Sequence, residues 1–261
     1  MGKTEKGSNT DGDVCTTRMG PGGFALKKLL RQVIASPNFE NALEKLDIPP
    51  ERMINPLLCF LYETDETIRW RAVRGIAITV SAMAEKDLES SRIIMRRLIW
   101  SLNDESGGIG WGAPEAMGEI MAENEALAGE YHRILVSYID ENGNLLDNDE
   151  LERGVMWAIE RLARKRPKLL RDWTGPVLAQ LSSPDPMKRG LALRVLLALV
   201  DEHRLGIDTE RPGPLIVPLL EDRNKIRVFQ DGLFVDYEVG TLASELLYRL
   251  NIHSETARNQ C

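Results

Sequence analysis

The sequence predicts an all-α solenoid of about five two-helix repeats, with a short β-hairpin inserted in the last repeat. The first of three observations behind this prediction is a small residue that recurs in five helix-like segments, at Ala72, Ala113, Gly154, Gly190 and Gly240. The separations are 41, 41, 36 and 50 residues, close to the length of a helix-turn-helix unit. Stacking such units buries each repeat against its neighbours and forms one long groove.

The second observation is a composition that suits an array with an apolar core and a charged surface. The 261 residues are 43% hydrophobic and 28% charged, and the net charge is −7. This acidic balance repels a phosphate backbone at long range, which disfavours nucleic-acid binding. Cys15, Cys59 and Cys261 lack the spacing of a disulfide framework or a zinc site, and the longest apolar run, 191–200, is about half a membrane span. We therefore predict a soluble, cytoplasmic protein.

The third observation is the regular alternation of apolar, helix-length segments with turn residues. Residues 1–23 are polar and glycine-rich, so we expect a disordered leader there. Two short periodic segments within 24–50 predict helices that cap the array. The repeats occupy about 51–250, and 251–261 is expected to be a flexible tail. Within the array, the segments predicted as the first (A) and second (B) helices of successive repeats are 54–62 and 68–84, 91–102 and 111–122, 130–139 and 149–163, 173–181 and 186–200, and 213–220 and 237–250.

The fifth repeat contains two β-type runs around Asp231-Gly232, which is a strong signal for a two-residue hairpin turn. The predicted hairpin covers 226–236. A two-residue turn fixes a register that brings together aromatic, ionic and aliphatic partners, namely Phe229 with Phe234, Arg227 with Asp236, and Val228 with Val235. We expect this hairpin to protect the apolar end of the last repeat.

Three of the predicted turns share an acidic residue followed by basic residues that open helix B and then by the small residue. These are Asp65 with Arg69 and Arg71, Asp149 with Arg153, and Asp185 with Arg189. The pattern resembles HEAT-like (armadillo-like helical) repeats, including the type found in phycobilisome lyases. Ser101–Ile120 is also similar to a repeat of uncharacterised HEAT-domain proteins from anaerobic, sulfate-reducing bacteria. The resemblance implies the architecture of 51–250 but supplies no catalytic residue.

A glycine-rich loop, 107–112, precedes the second B helix. Its residues Gly108, Gly110 and Ala113 match the dinucleotide fingerprint G-x-G-x-x-A, but the segment before them is helical and no βαβ unit surrounds it. We reject the dinucleotide interpretation. Two alternatives stay open, a turn that needs glycine dihedrals and an anion site formed by free amides at the helix start.

Other candidate ligand groups have simpler explanations. Asp140–Asn144 resembles the start of a calcium loop, but Leu145 and Leu151 replace the required glycine and glutamate. The three histidines are scattered, so we expect no metal and no cofactor. Six cations lie near the end of the third B helix, where they either solvate a helix end or form a phosphate-binding surface, and these are Arg161, Arg164, Lys165, Arg166, Lys168 and Arg171.

Two tryptophans, Trp70 and Trp111, stand two residues before the aligned small residue in adjacent repeats. If the small residues face helix A, these indoles face away from it, because two helical steps turn about 200°. The same position holds Glu152, Lys188 and Glu238 in the other repeats, which favours an exposed aromatic strip. The alternative is that each indole wedges between repeats. The predicted partner-binding residues are Trp70, Arg74, Gly108, Gly110, Trp111 and Glu115.

The function that follows is a non-catalytic protein-binding or scaffold module, whose protein or peptide partner lies in the groove lined by the B helices. One alternative is an enzyme or cofactor-handling protein of the HEAT-like lyase type, with a site at the Gly107 to Gly112 loop beside Asp104 and Glu115. No nucleophile paired with a base supports that alternative. Nucleic-acid binding is a second alternative and would show a strong salt dependence.

Overall fold

A computed structural model describes residues 22–103, 110–201 and 213–258. Two helices at the N-terminus precede the repeats, and they are α1 (Gly23–Ala35) and α2 (Phe39–Glu44). The A-type α-helices are α3 (Pro50–Phe60), α5 (Leu88–Leu102), α7 (Glu125–Ser137), α9 (Thr174–Ala179) and α11 (Gly213–Ile216). The B helices are α4 (Glu66–Ala84), α6 (Ala113–Glu123), α8 (Asp149–Lys165), α10 (Pro186–Asp201) and α12 (Val239–Arg258). Short 3-10 helices at Pro167–Trp173, Gln180–Ser182 and Val217–Glu221 complete the last two A segments.

The B helices form one continuous row, because α4 contacts α6, α6 contacts α8, α8 contacts α10 and α10 contacts α12. The A helices pack on this row from one side, α3 on α4, α5 on α4 and α6, and α7 on α6 and α8. Side chains between the two layers form the core. This arrangement confirms the predicted all-α solenoid of two-helix repeats.

The ends of the array differ in detail from the predicted boundaries. Most of the expected leader, 1–23, lies outside the described residues, and α1 begins at Gly23. The last helix extends to Arg258, beyond the predicted end of the array at residue 250. Among the described residues, no helix combines the length and apolarity needed to cross a bilayer.

The acidic and basic residues at the turns connect one repeat to the next. The Asp65 carboxylate accepts the backbone N–H groups of Thr67 and Ile68 and so caps α4. Arg153 pairs with Asp185 at 2.6 Å in the following repeat, and Arg189 pairs with Asp222 at 2.6 Å in the one after. The cap of α8 is Asn148, and the carboxylate of the next residue, Asp149, pairs with Lys188. In the first repeat Arg71 donates to three carbonyls, those of Ile34, Ala35 and Ser36, at the end of α1.

The recurring small residues do not all serve the contact that the sequence suggested. A Cβ added at Gly154 would lie 2.8 Å from the Glu115 carboxylate on the neighbouring B helix, and one at Gly190 would lie 2.4 Å from Ile226 in the hairpin. The tightest helix contact is at Gly118, where a Cβ would lie 2.5 Å from that of Ala158. Small residues therefore let the B helices approach one another and the hairpin, not only helix A.

Strands β1 (Lys225–Gln230) and β2 (Leu233–Glu238) form an antiparallel hairpin in the predicted register, including Phe229 with Phe234 and Val228 with Val235. Asp231 and Gly232 have φ of 50° and 85°, the positive values that a type I′ turn requires. The hairpin contacts α10 and α12. It also crosses the row of B helices, and its tip reaches α4 in the first repeat. Protection of the last repeat by the hairpin stays a prediction.

Candidate functional site

The hairpin divides the groove along the B helices into two compartments. The large compartment has a volume of about 830 Å³ and is lined by α2, α4, α6, α8 and the hairpin tip. The small compartment, about 340 Å³, lies beside β1 at the N-terminal ends of α6, α8 and α10. Trp70, Trp157 and Phe229 line both compartments and so form the wall between them.

That wall is a packed aromatic cluster. The Trp70 ring stacks on Phe229, with centroids 4.9 Å apart and an interplanar angle of 14°, and it lies 4.7 Å from the tilted ring of Trp157. The indole Nε1 of Trp157 donates a 2.9 Å hydrogen bond to the Phe229 carbonyl. Phe234 meets Phe229 edge-on at 5.2 Å. Each aromatic ring therefore fixes the position of the next, and the hairpin tip is held against α4 and α8.

The floor of the large compartment is a network of ion pairs centred on Glu119, whose side chain is buried. Arg161 donates to both of its carboxylate oxygens, at 2.5 and 3.0 Å, and Arg74 donates to it at 3.1 Å. Arg74 also bonds Glu123 at 2.6 Å and Glu40 at 3.2 Å. Burial opposes the charge of Arg74, but the hydrogen bond to Glu40 and the charge of Glu119 outweigh it and raise the pKa of its guanidinium.

Three of the six cations near the end of α8 have contacts that engage them within the fold. Arg161 belongs to the network on Glu119, and Arg164 lies 3.6 Å from Asp231 at the hairpin tip. Arg166 donates to the Met121 carbonyl at 2.9 Å. These contacts favour the structural explanation of the cluster over a phosphate-binding surface.

The small compartment contains Glu115, in the first turn of α6 after Gly112, which has a φ of 75°. Its Oε2 atom is shielded from solvent and has no hydrogen-bond partner in the structure. Burial raises the pKa of this carboxyl to about 7, against the opposing effects of a hydrogen bond from the backbone N–H of Glu115 itself and of the Arg69 charge. Gly154 is required beneath it, because a side chain there would occupy the space of the carboxylate.

The structure places the predicted partner-binding residues on two sides of the hairpin. Trp70, Trp111 and Glu115 line the small compartment, whereas Arg74 lines the large one. Gly110 is buried, and a Cβ there would lie 2.7 Å from the Ser101 carbonyl, which favours the turn interpretation of the glycine loop. Gly107, Gly108 and Asp104 lie outside the described residues.

The positions that correspond to the two tryptophans in later repeats form their own contact along the groove. Lys188 donates to Glu152 at 2.7 Å, and only 6% of Lys188 is exposed. Trp70 itself is partly buried and is covered by Trp157 and Phe229, which belong to later repeats. The role of this strip in binding a partner stays a prediction.

The sequence did not place Trp157, Phe229, Glu119 or Arg161 among the partner-binding residues. Trp157 stands three residues after Gly154 and not two before it, so the alignment of repeats does not mark it. Glu119 had a usable signal, because it is a carboxylate within an otherwise apolar stretch of helix B, and such a group needs a cationic partner when it is buried. Among the residues that the structure covers, no group of three or more His, Cys, Asp or Glu side chains could hold a metal ion.

No family model matches this chain. An uncharacterised protein of Archaeoglobus fulgidus is 34% identical over 108 residues, which are 41% of this chain and 52% of that protein. The chain therefore spans about half the length of this relative.

Solved structures share the fold at low sequence identity. A computationally designed armadillo repeat protein for modular peptide recognition aligns with a TM-score of 0.53 at 18% identity, over 87% of this chain and 92% of its own. A designed armadillo repeat protein in complex with the peptide (KR)4 aligns with a TM-score of 0.50 at 19% identity, over 86% and 99%. The chain has an armadillo- or HEAT-like repeat fold, as the sequence predicted. The finer resemblance to phycobilisome-lyase-type repeats stays a prediction.

Proposed function

We propose that this protein is a non-catalytic repeat scaffold that binds an extended peptide segment of a partner protein in the large compartment. The observation that carries the proposal is an open groove of about 830 Å³ with an aromatic wall and a floor of fixed ion pairs. An anchor side chain can pack on the wall while the charged floor offers hydrogen bonds to backbone groups. The binding residues are Trp70 and Arg74 from the sequence prediction, joined by Trp157, Glu119 and Arg161.

The dimensions of the compartment suit a chain in extended conformation. It runs from α2 past α4 and α6 to α8, so an occupant would cross successive B helices. Armadillo neighbours, one described as made for modular peptide recognition and one bound to the peptide (KR)4, support the same mode of use for this fold. A preformed groove also lowers the ordering cost of binding, because its side chains are already held by their neighbours.

The charges at the two ends of the compartment give the peptide a preferred direction. Glu40 and Glu44 of α2 line one end, and Arg164 and Lys165 of α8 line the other. We therefore propose a peptide whose basic end lies toward α2 and whose acidic end lies toward α8, with a large apolar residue between them against Trp70.

Two further features support binding over catalysis or nucleic-acid recognition. The residues that line the two compartments include no serine, cysteine or histidine that could act as nucleophile or base. Arg161, Arg164 and Arg166 near the end of α8 are engaged with Glu119, Asp231 and a backbone carbonyl, which leaves fewer cations for a phosphate backbone.

A peptide-display selection against the full chain, followed by titration calorimetry, tests the proposal. We expect a peptide with an internal aromatic or large aliphatic residue, and Trp70→Ala should weaken its binding by about 30-fold, the loss typical of a hot spot. Trp100→Ala is the matched control, since Trp100 is 81% exposed on α5 and lines neither compartment. Equal losses in both variants, or selection of no peptide at all, would refute the proposal.

A salt titration on the same complex separates the nucleic-acid alternative. Peptide binding anchored by an aromatic residue should change only modestly between low and physiological salt. Binding of a nucleic acid would fall steeply, in proportion to the number of phosphates that are neutralised. Tight, steeply salt-dependent capture of a duplex or single strand, without peptide binding, would favour that alternative instead.

A further inference from the structure

Glu115 is the one described carboxylate with a solvent-shielded oxygen that has no hydrogen-bond partner, and it borders an accessible cavity. Buried carboxylate oxygens in folded proteins are nearly always hydrogen-bonded, because an unpaired one loses its hydration without compensation. The Glu119 carboxylate in the same helix shows the usual solution, with both oxygens bonded by Arg161. No arginine bonds the Glu115 carboxylate, and its Oε2, which lies under Gly154, has no hydrogen-bond partner.

Charged groups face this compartment from three elements and one turn, and half of them are paired with one another. Arg153 bonds Asp185 and Glu150, and Arg69 lies 3.5 Å from Glu66. Arg227 lies over the Phe234 ring. The full set of charged groups that line the compartment beside Glu115 is Arg69 on α4, Glu150 and Arg153 on α8, Asp185 before α10, and Lys225 and Arg227 on β1.

The chemistry of the cavity selects a cationic hydrogen-bond donor. An anion would meet the Glu115 carboxylate directly, and the described residues around it do not form a cluster that could hold a metal ion. A primary ammonium offers three donors and a positive charge in a small volume. Trp70 and Trp111 line the same cavity, and an ammonium group beside their rings would gain favourable cation–π interactions.

We propose that the small compartment binds a primary ammonium group of the partner peptide, with the Glu115 carboxylate accepting its N–H donors beside Trp111 and Trp70. This inference rests on the proposed function, since it adds a second recognition point across the hairpin from the peptide groove. The ammonium could come from a lysine side chain or from the amino terminus of the peptide. Both sources share the chemistry and differ in their pKa.

Binding of this kind is linked to the protonation of Glu115. An ammonium needs the ionised carboxylate, so affinity should fall by about tenfold for each pH unit below the pKa of about 7 and level off above it. A lysine side chain keeps its charge to about pH 10, whereas a peptide amino terminus loses it above about pH 8. The upper limb of the pH profile therefore identifies the source.

Titration of the full chain with small amines tests the inference. Binding is monitored by tryptophan fluorescence and by changes in NMR chemical shifts. The probes are Nα-acetyl-lysine methylamide for the side chain and alaninamide for the amino terminus. The control ligand is the lysine probe acetylated on its side chain, which has no charge. At pH 7.5, about half a unit above the midpoint, one amine should bind with a dissociation constant on the order of millimolar, and the neutral control should not bind.

Glu115→Gln should lower the affinity for the amine by at least about tenfold, because it removes the charge and keeps the shape. Glu150→Gln is the matched control, since Glu150 lines the same compartment but is paired with Arg153. Equal binding by wild type and Glu115→Gln overturns the inference, and so does amine binding that is independent of pH between 5.5 and 7.5. The wild-type pH profile needs no variant, so a folding defect cannot obscure the result.

The outcomes also separate this inference from the proposed function. If a selected peptide binds and depends on Trp70 but not on Glu115, the ammonium site is wrong and the peptide groove stands. If amines bind through Glu115 and no peptide is ever selected, the site stands and the peptide-scaffold proposal is wrong.

Discussion

Gly118 offers the sharpest test of how closely the B helices pack. An added Cβ would lie 2.5 Å from the Cβ and 2.6 Å from the Cα of Ala158, well inside the ordinary contact distance. The obstructing atoms are close to the main chain, so α6 and α8 must separate by about 1 Å. Overpacking of this kind costs up to about 3 kcal/mol, and the better helix propensity of alanine returns about 1 kcal/mol. We therefore expect Gly118→Ala to lose about 2 kcal/mol of unfolding free energy.

The matched control is Gly129→Ala in α7, where the added methyl group meets nothing within 4 Å. Here only the propensity term acts, and the variant should gain about 1 kcal/mol. Urea denaturation of the two variants beside wild type should therefore give opposite shifts of the midpoint with little change in slope. If Gly118→Ala were as stable as wild type while Gly129→Ala gained stability, the close contact between α6 and α8 would be wrong.

Three further perturbations test other parts of the structure. Glu115 has its pKa raised from 4.5 to about 7 by burial, so its contribution to stability is full below pH 4.5 and is lost as the pH rises through 7. Glu115→Gln should therefore be more stable than wild type by about 3 kcal/mol at pH 8 and about equal at pH 4.5, as measured by urea denaturation at both values. Arg194→Met should lower the free energy of unfolding by about 3–5 kcal/mol, because it leaves Glu160 buried and unpaired. Calorimetric melting of a double variant that also carries Glu160→Met should show that most of this lost stability is recovered. Trp157→Phe removes the bond to the Phe229 carbonyl and should cost about 1–2 kcal/mol, with faster amide exchange confined mainly to the hairpin; unchanged exchange there would contradict the tip contact.

The hairpin shows which part of the fold is local enough to predict. Its turn and register follow from Asp231-Gly232 and from the pairing of side chains within twelve residues, and the structure confirms them. Its position across the groove depends on contacts such as that between Trp157 and Phe229, which are 72 residues apart. Nothing in the sequence of the hairpin specifies that α8 and α4 lie beneath it.

The candidate site was predictable to the same limited extent. Trp70 and Trp111 were found because they share a position in adjacent repeats, and they do line one compartment. Glu115 was predicted as a partner-binding residue, but its burial depends on how near α8 approaches α6, which is set by Gly154 and Gly118. The distance between two helices depends on the side chains of both, so the sequence of one helix does not determine it.

Most solenoids behave mechanically like springs, because each repeat touches only its immediate neighbours and small rotations accumulate along the array. The hairpin breaks that rule, since it is inserted in the fifth repeat and stacks Phe229 on Trp70 of the first. Arg227 adds a second link, 3.8 Å from Glu66 at the start of α4. The contact of the hairpin with α4 therefore links the fifth repeat directly to the first. Stretching the array would have to break the aromatic stack as well as the interfaces between repeats. This direct contact between the first and fifth repeats consequently fixes the superhelical pitch. It thereby also fixes the width of the groove.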